Sequence, residues 1–404
     1  MVELLTEITT PEPVEVRGAT ARDARKTARA LHVINGEHYA GAERVQDHLA
    51  QCLPEFGFDV GFVCIKPGRF AQMRQSRVPL ETMPMRGRFD LRPARKIAKL
   101  VRREGYSLIH THTPRTALIG SLAASMARVP LVHHVHSPTS RDTTRPIQDR
   151  VNALMERMSL RRAAAIIAVS RSMGNYALES GLATRAVAVV PNGVPARPTL
   201  LERDVPNSPW TIGTVALFRP RKGLEVLLDA LAQLRDLGYP LQLRAVGGFE
   251  TEDYKAQIMA RVDDLGIGEM IDWRGFQRDV QAELATMDLF VLPSLFGEGL
   301  PMVILEAMSC GVPVVGTRVE GVPEVIRDGE DGLIAAPDDA GELARAMQRV
   351  IGGQVDWNAL RESAYQRQRD HYSDRSMAAG VAAGYDSVLA PIDADDTINK
   401  PTTS

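Results

Sequence analysis

Pro293-Ser-Leu-Phe-Gly-Glu-Gly-Leu-Pro-Met-Val-Ile-Leu-Glu-Ala-Met-Ser-Cys-Gly-Val-Pro-Val-Val315 reads as a strand end, a loop, a buried helix and the start of the next strand. Pro301 stands where the helix begins, a place that suits proline because the amide it lacks would have no partner there. From Met302 to Met308 every residue is apolar except Glu306. A helix apolar on all sides is buried, so Glu306 needs a partner or a ligand. Glu298 lies in the loop ahead of the helix N-terminus, whose free amides attract a phosphate. Carboxylates beside that end suit sugar hydroxyls, to which they are strong acceptors. The structural alternative is that Glu298 caps the helix and Glu306 pairs with a buried arginine.

Outward from this segment, short β-branched runs alternate with helical patterns. In the first half the expected strands are 30–34, 60–65, 107–112, 131–136, 165–169 and 186–190, with helices at 41–53, 92–103 and 147–161 between several of them. Prolines at 195, 198, 206 and 209 then interrupt the alternation. The pattern restarts with strands at 210–217, 241–246, 270–274, 289–293, 312–317 and 332–335. Continuous apolar strands separated by helices indicate parallel sheets covered on both faces. The expected α/β organisation is therefore two doubly wound, Rossmann-like domains facing across a cleft, at 29–194 and 210–370, with 195–209 as linker. Residues 1–28 and 391–404 read as tails, and 371–390 as a helix packing back on the first domain. Ligands of such sheets bind at the carboxyl ends of the strands.

The 404 residues are 44% hydrophobic and 24% charged, which excludes a wholly disordered or fibrous chain. The longest apolar runs, such as 163–169, fall far short of a membrane helix. The first thirty residues hold no apolar core of a signal peptide, so a cytoplasmic protein is expected. Cys52, Cys64 and Cys310 are too few and too scattered for a disulfide framework or a zinc site. The net charge of −2 hides a segregation. Residues 61–162 carry 20 Lys/Arg against 6 Asp/Glu, a net of +14, whereas 204–350 carry 13 against 24, a net of −11. The basic half suits an anionic membrane or an anionic acceptor, or simply attraction between the lobes.

Three further features bear on chemistry. Thr214-Val-Ala-Leu-Phe-Arg-Pro-Arg-Lys-Gly follows the first strand of the acidic half and supplies Arg219 and Lys222. Cations at a strand end can stabilise a leaving diphosphate; Arg221 beside them reads as solvated. His32-Val-Ile-Asn-Gly-Glu-His-Tyr-Ala-Gly-Ala-Glu-Arg is a strand, a loop and a helix start, in which Gly36 and Gly41 would let backbone approach a ligand. Eight of the nine histidines precede residue 137, and His110-Thr-His112 and His133-His-Val-His136 each end a strand. No Cys or acidic residue sits beside them at metal-ligand spacing.

Glu298, seven residues, then Glu306, followed by Ala-Met-x-Cys-Gly-Val-Pro-Val-Val, resembles glycosyltransferase family 4 of the GT-B fold. Matching features run from about Leu31 to Val350. The resemblance implies a retaining hexosyltransferase that uses a nucleotide diphosphate sugar and needs no bound metal or other cofactor. Carried over by position, it implies that Glu298 contacts the donor sugar, Glu306 the ribose hydroxyls, and the backbone of Gly299, Leu300, Pro301 and Met302 the sugar and diphosphate oxygens. Lys222 and Arg219 would neutralise the diphosphate, His136 would stand at the donor site, Gly275 and Phe276 would lie by the nucleobase, and Gly41 would match one of a glycine pair. His112, Arg115 and Arg141 are the acceptor-side candidates. The chain departs from the family at Leu217, where an arginine is usual, and at Glu320, where glycine is common. Asp-x-Asp occurs only in the C-terminal tail, at Asp393 and Asp395, so a metal-dependent GT-A site is not expected.

A nucleotide-sugar donor and a glycan or lipid-linked acceptor are thus the expected partners, with no nucleic acid. The competing functions are a nucleotide-sugar epimerase or hydrolase on the same fold, and a non-catalytic two-lobed sugar-nucleotide-binding protein. Arg86, Arg88, Arg92, Arg95, Lys96, Lys99, Arg102 and Arg103 form one basic stretch, and a helix over 147–162 sets Val151, Leu154, Met155 and Met158 beside Arg150, Arg157, Arg161 and Arg162. Such a helix can lie on an anionic bilayer. The plainer expectation is that its apolar stripe packs into the first domain.

Overall fold

A computed structural model describes residues 27–87, 90–138, 146–182 and 186–390. The tails beyond these limits, Arg88 and Arg141 lie outside the described residues. The first half builds a seven-stranded sheet from β1 (Ala28–Ile34), β2 (Phe58–Cys64), β3 (Leu80–Thr82), β4 (Leu108–Thr111), β5 (Leu131–Val135), β6 (Ala165–Ala168) and β7 (Val187–Val189). Its spatial order is β3-β2-β1-β4-β5-β6-β7, and its pairings are parallel. The second half builds a six-stranded parallel sheet from β8 (Trp210–Val215), β9 (Leu241–Val246), β10 (Ile271–Gly275), β11 (Leu289–Leu292), β12 (Val314–Thr317) and β13 (Gly332–Ala335), in the order β10-β9-β8-β11-β12-β13.

Each expected apolar run is a strand, usually shorter by a residue or two because its last residues already turn into the loops. The short edge strand β3 has no apolar run to announce it, since Glu81 and Thr82 face solvent. The helices Pro114–Ala127 and Arg171–Glu179 were not among the expected elements. Both start on hydroxyl caps: Thr113 accepts from the amide of Thr116, and Ser170 from that of Met173. The helix Arg92–Glu104 buries Ala94, Ile97, Ala98 and Val101 while its Arg and Lys residues point out, and Gly105 ends it at φ 70°.

The Pro-rich passage is strapped down along its length. The Val194 amide donates to Tyr372 O at 3.0 Å, Tyr365 Oη donates to Arg197 O at 2.8 Å, and Arg361 Nη2 donates to Leu201 O at 2.5 Å. The helix Trp357–His371 that supplies these groups packs on the second half, where Trp357 meets Trp210 edge to face. The last helix, Asp374–Leu389, crosses to the first half and sets Tyr385 against Phe58, with ring centroids 5.1 Å apart. One apolar cluster fills the second sheet's far side. The other runs without a break from the first sheet into Leu300, Ile304, Leu305 and Met308 of the second half.

Candidate active site

In both sheets the order reverses at one place, between β1 and β4 and between β8 and β11. Such switch points open a crevice at the carboxyl ends of the strands. Both of this chain's unusual side-chain clusters sit there.

At the second switch point the chain leaves β8 and makes one 3-10 turn, Pro220–Lys222, closed by Gly223 at φ 64°. A Cβ on Gly223 would lie 2.0 Å from Pro293 O, so only glycine lets this turn press on the end of β11. The contact brings the Lys222 ammonium onto Glu298, where it donates to Oε1. Ser294 Oγ donates to the same oxygen at 2.6 Å, and Arg221 lies 3.9 Å from it. Burial pushes Glu298 up, but Lys222 and then Arg221 outweigh it and hold the carboxyl below its ordinary value. Burial draws the Lys222 ammonium down, against the attraction of Glu298. Arg221 is not solvated as expected: it donates to the carbonyls of Phe296 at 3.3 Å and Gly297 at 3.1 Å, tying down the loop that carries Glu298. Arg219 turns the other way, toward Glu250 at 3.5 Å, yet stays near enough to disfavour the Lys222 charge.

Glu306 is buried in the helix Met302–Ser309, and its partner is an arginine, as the structural alternative has it. That arginine is Arg44 of the other half, which pairs with Oε1 and donates to Oε2 at 3.1 Å. Around this pair the halves meet closely. A Cβ on Gly299 would sit 1.9 Å from His136 O, and one on Gly41 3.9 Å from Met302 Cγ. Leu300 O accepts from Asn192 Nδ2 at 2.8 Å, and Pro301 is the residue ahead of the first helical turn. Glu324 accepts from the amides of Arg171 and Ser172 at 2.8 and 2.9 Å, so a carboxylate of one half caps a helix of the other. Glu320, the departure from glycine, keeps a positive φ of 24° and accepts from the amides of Gly297 and Glu298 at 2.8 and 3.1 Å. At the cleft rim Gly275 ends β10, and Phe276 is 54% exposed with the Arg69 guanidinium 5.4 Å from its ring centroid.

At the first switch point five imidazoles share one face. His32 pairs in register with His110, and the i, i+2 spacings of His110/His112 and His134/His136 repeat that face. His133 points to the opposite face, 3.4 Å from Glu156. His32, His110, His112 and His134 are buried, so they do not line the cleft, while His136 is half-buried at its edge. His112, an acceptor-side candidate, is buried, with one ring nitrogen on His136 and the other on His32. Burial brings His32 and His136 down to about 3. Arg115 sits half-buried in the first turn of Pro114–Ala127, where it helps to lower the Glu37 carboxyl behind the larger effect of Lys66. His32, His110 and His112, and likewise His112, His134 and His136, bring one nitrogen each within 4.8 Å of the others.

Two family models match successive parts of this chain. One, described as glycosyltransferase family 4, matches residues 39–197, and the other, described as glycosyl transferases group 1, matches 209–352. The chain belongs to glycosyltransferase family 4. Relatives of this family-4 glycosyltransferase include the Escherichia coli UDP-Gal:alpha-D-GlcNAc-diphosphoundecaprenol alpha-1,3-galactosyltransferase, 25% identical over 78% of this chain and 86% of that protein. The Mycobacterium leprae phosphatidyl-myo-inositol mannosyltransferase is 28% identical over 62% of this chain and 65% of that protein. The fold is GT-B. It matches Anabaena HepE in complex with UDP and glucose with a TM-score of 0.76, 23% identity, and coverage of 89% of this chain and 100% of that one. Sucrose-phosphate synthase from Thermosynechococcus elongatus gives a TM-score of 0.74 and 20% identity over 90% and 99% of the two chains.

The sequence placed Glu298, Lys222 and Gly299 at the cleft but gave no sign of Arg44 and Tyr385 as members of the same assembly. Arg44 carries the weakest possible signal, one arginine at a helix start. Glu320 was visible only as a departure from glycine.

Proposed function

We propose that this glycosyltransferase moves a hexose from a nucleoside diphosphate sugar to a lipid-linked or glycan acceptor with retention of configuration and without a bound metal. The observation that carries this reading is the Lys222–Glu298 contact at the second switch point, flanked by Arg219 and Arg221 and facing His136 across the Gly299 contact. Fixed cations at a strand end can take up the charge of a departing diphosphate. In the proposed step the anomeric C–O bond to the diphosphate breaks and the acceptor oxygen bonds to the same face of the sugar. The acceptor proton passes to the leaving phosphate oxygen. Glu306 would hold the ribose, Phe276 would flank the base, and Arg115 would face the acceptor.

Two named relatives act on lipid-linked acceptors, a diphosphoundecaprenol-linked sugar and phosphatidyl-myo-inositol, which supports an acceptor of that kind here. The helix Pro146–Leu160 supports it further. Leu154 and Met158 are 61% and 63% exposed, so the stripe is open to the surroundings rather than packed inward, with Arg150 and Arg157 beside it. Among the described residues no helix is long and apolar enough to cross a membrane. The proposed mode is peripheral contact with the anionic cytoplasmic leaflet.

A panel of UDP-, GDP- and ADP-hexoses with an isoprenyl-diphosphate sugar and a phosphoinositide tests the reading. The expected result is one donor class consumed, an α-linked product from an α-linked donor by proton NMR, and turnover that survives EDTA. Free hexose or an epimerised donor without transfer would favour the hydrolase or epimerase, and binding without turnover the two-lobed binding protein. Co-sedimentation with anionic vesicles should be clear at low salt and fade as salt screens the arginines. Leu154→Glu with Met158→Glu should abolish it.

A further inference from the structure

Four of the five stacked histidines and one tyrosine form a single line of hydrogen bonds. His136 Nε2 lies 3.0 Å from His112 Nδ1, and His112 Nε2 lies 3.2 Å from His32 Nδ1. His32 Nε2 is 3.0 Å from Tyr385 Oη, which in turn lies 2.6 Å from His110 Nδ1. A neutral imidazole has one N–H and one bare nitrogen, so a line of them runs in one direction and either end sets it for all. Burial keeps His32 and His136 neutral, with both titrating near 3, so no link takes a second proton near neutral pH. Bonds donated by a hydroxyl are shorter than those donated by N–H. On that ground the 2.6 Å contact is assigned to Tyr385 as donor to His110, and the 3.0 Å contact to His32 as donor to Tyr385. Followed outward, His112 donates to His32, and His136 Nε2 donates to His112. His136 Nδ1 is then the bare nitrogen. His136 itself is half-buried at the edge of the cleft, against the Gly299 loop that carries Glu298.

We propose that Tyr385, from the C-terminal helix, is a positioning residue that fixes the tautomer of His136 through His32 and His112 and so presents Nδ1 of His136 as an acceptor for a sugar hydroxyl. The tautomer part stands on the hydrogen bonds alone, and its use in the reaction rests on the transferase reading above. A metal ion is the competing occupant of this cluster. His134, both of whose nitrogens are buried without a partner, would be its natural ligand. The rings of His134 and His136, however, stack 4.4 Å apart at 25°, so their in-plane lone pairs run side by side rather than converging. A divalent ion there would also have only neutral ligands in a buried site, which leaves its charge uncompensated.

Tyr385→Phe in the full chain removes one hydroxyl and keeps the ring against Phe58. Histidine-labelled protein read by long-range proton–nitrogen NMR, with His136 assigned through His136→Gln, should show one His136 tautomer in the wild type, protonated at Nε2, and a mixture in the variant. Turnover should fall about tenfold while the KM for donor changes little, the split expected when the bond from the sugar hydroxyl to His136 strengthens chiefly in the transition state. Unchanged His136 signals would overturn the proposal, as would a wild type protonated at Nδ1. Stoichiometric zinc, nickel or copper in protein purified without chelator would overturn it in favour of a metal site. A tautomer shift with full turnover would overturn the part played by His136 in the reaction while leaving the transferase assignment intact. If Tyr385→Phe does not fold, His32→Gln breaks the line at its next link and is read in the same way.

Discussion

Lys222 and Glu298 depend on each other in two ways that a single substitution mixes. Removing one member of a buried pair leaves the other uncompensated, at a cost of about 3–5 kcal/mol. Lys222→Ala should therefore lower the denaturation midpoint as well as turnover, the latter on the order of 10²-fold if the ammonium stabilises the leaving diphosphate. Glu298→Gln keeps the shape and the bond from Ser294 but removes the charge that holds Lys222. The double variant separates the two effects, because it should regain much of the lost stability and none of the turnover. Denaturant titration beside steady-state kinetics is the measurement. Arg221 differs from both. Its bonds go to the carbonyls of Phe296 and Gly297, so Arg221→Lys should loosen the loop and raise the donor KM with a small change in turnover.

At the end of β1, β4 and β5 the histidine stack makes stability depend on pH. Folding lowers these pKa values, to about 3 for His32 and His136, so below about 6.5 the unfolded chain binds protons that the folded one does not. Stability from this source is complete above the unfolded pKa and is lost as pH falls from there toward the folded one. Each fully buried ring should cost on the order of 2 kcal/mol between pH 6.5 and pH 5. The expected outcome is a melting temperature that falls steeply from pH 7 to pH 5, with a shallower fall in His134→Leu, followed by calorimetry. Loops at these strand ends were legible as places where ligands gather. Which side chains would share a face was legible too, from the i, i+2 spacing. That the rings would stack with Tyr385 was not, because β1 and the last helix are 353 positions apart at His32 and Tyr385.

Across the whole molecule polar contacts around the cleft join the two halves beside the apolar cluster they share. Glu324 caps the helix Arg171–Glu179 from the opposite half, and Glu306 binds Arg44. Glu324→Ala should cost about 1 kcal/mol, the usual loss of a helix cap, and increase the radius of gyration by solution scattering. Arg44→Met is the sharper test. If ribose hydroxyls take the place of Arg44 on Glu306, the free protein should be less stable than wild type while the donor binds more tightly, since no ion pair need break first. Calorimetric titration with the cognate nucleotide sugar reads both. Weaker donor binding would instead assign Arg44 to the donor site itself.

The sequence alone determined the two parallel sheets, the break between them and the strand ends at which Glu298, Lys222 and His136 lie. Those features are local, since apolar runs, turn residues and period-two spacing act over a few neighbours. It also determined that Glu306 could not be buried alone, because a carboxylate in an apolar helix has no other stable outcome. What fills that need was decided only in three dimensions. Arg44 stands 262 positions away, and nothing in its own neighbourhood distinguishes it from a solvated arginine. The same holds for Arg221, whose loop position suggested solvent until Gly223 allowed the turn to close on Pro293 and bury it. Contacts between the halves depend on the relative placement of two finished domains, and no short-range pattern carries that information.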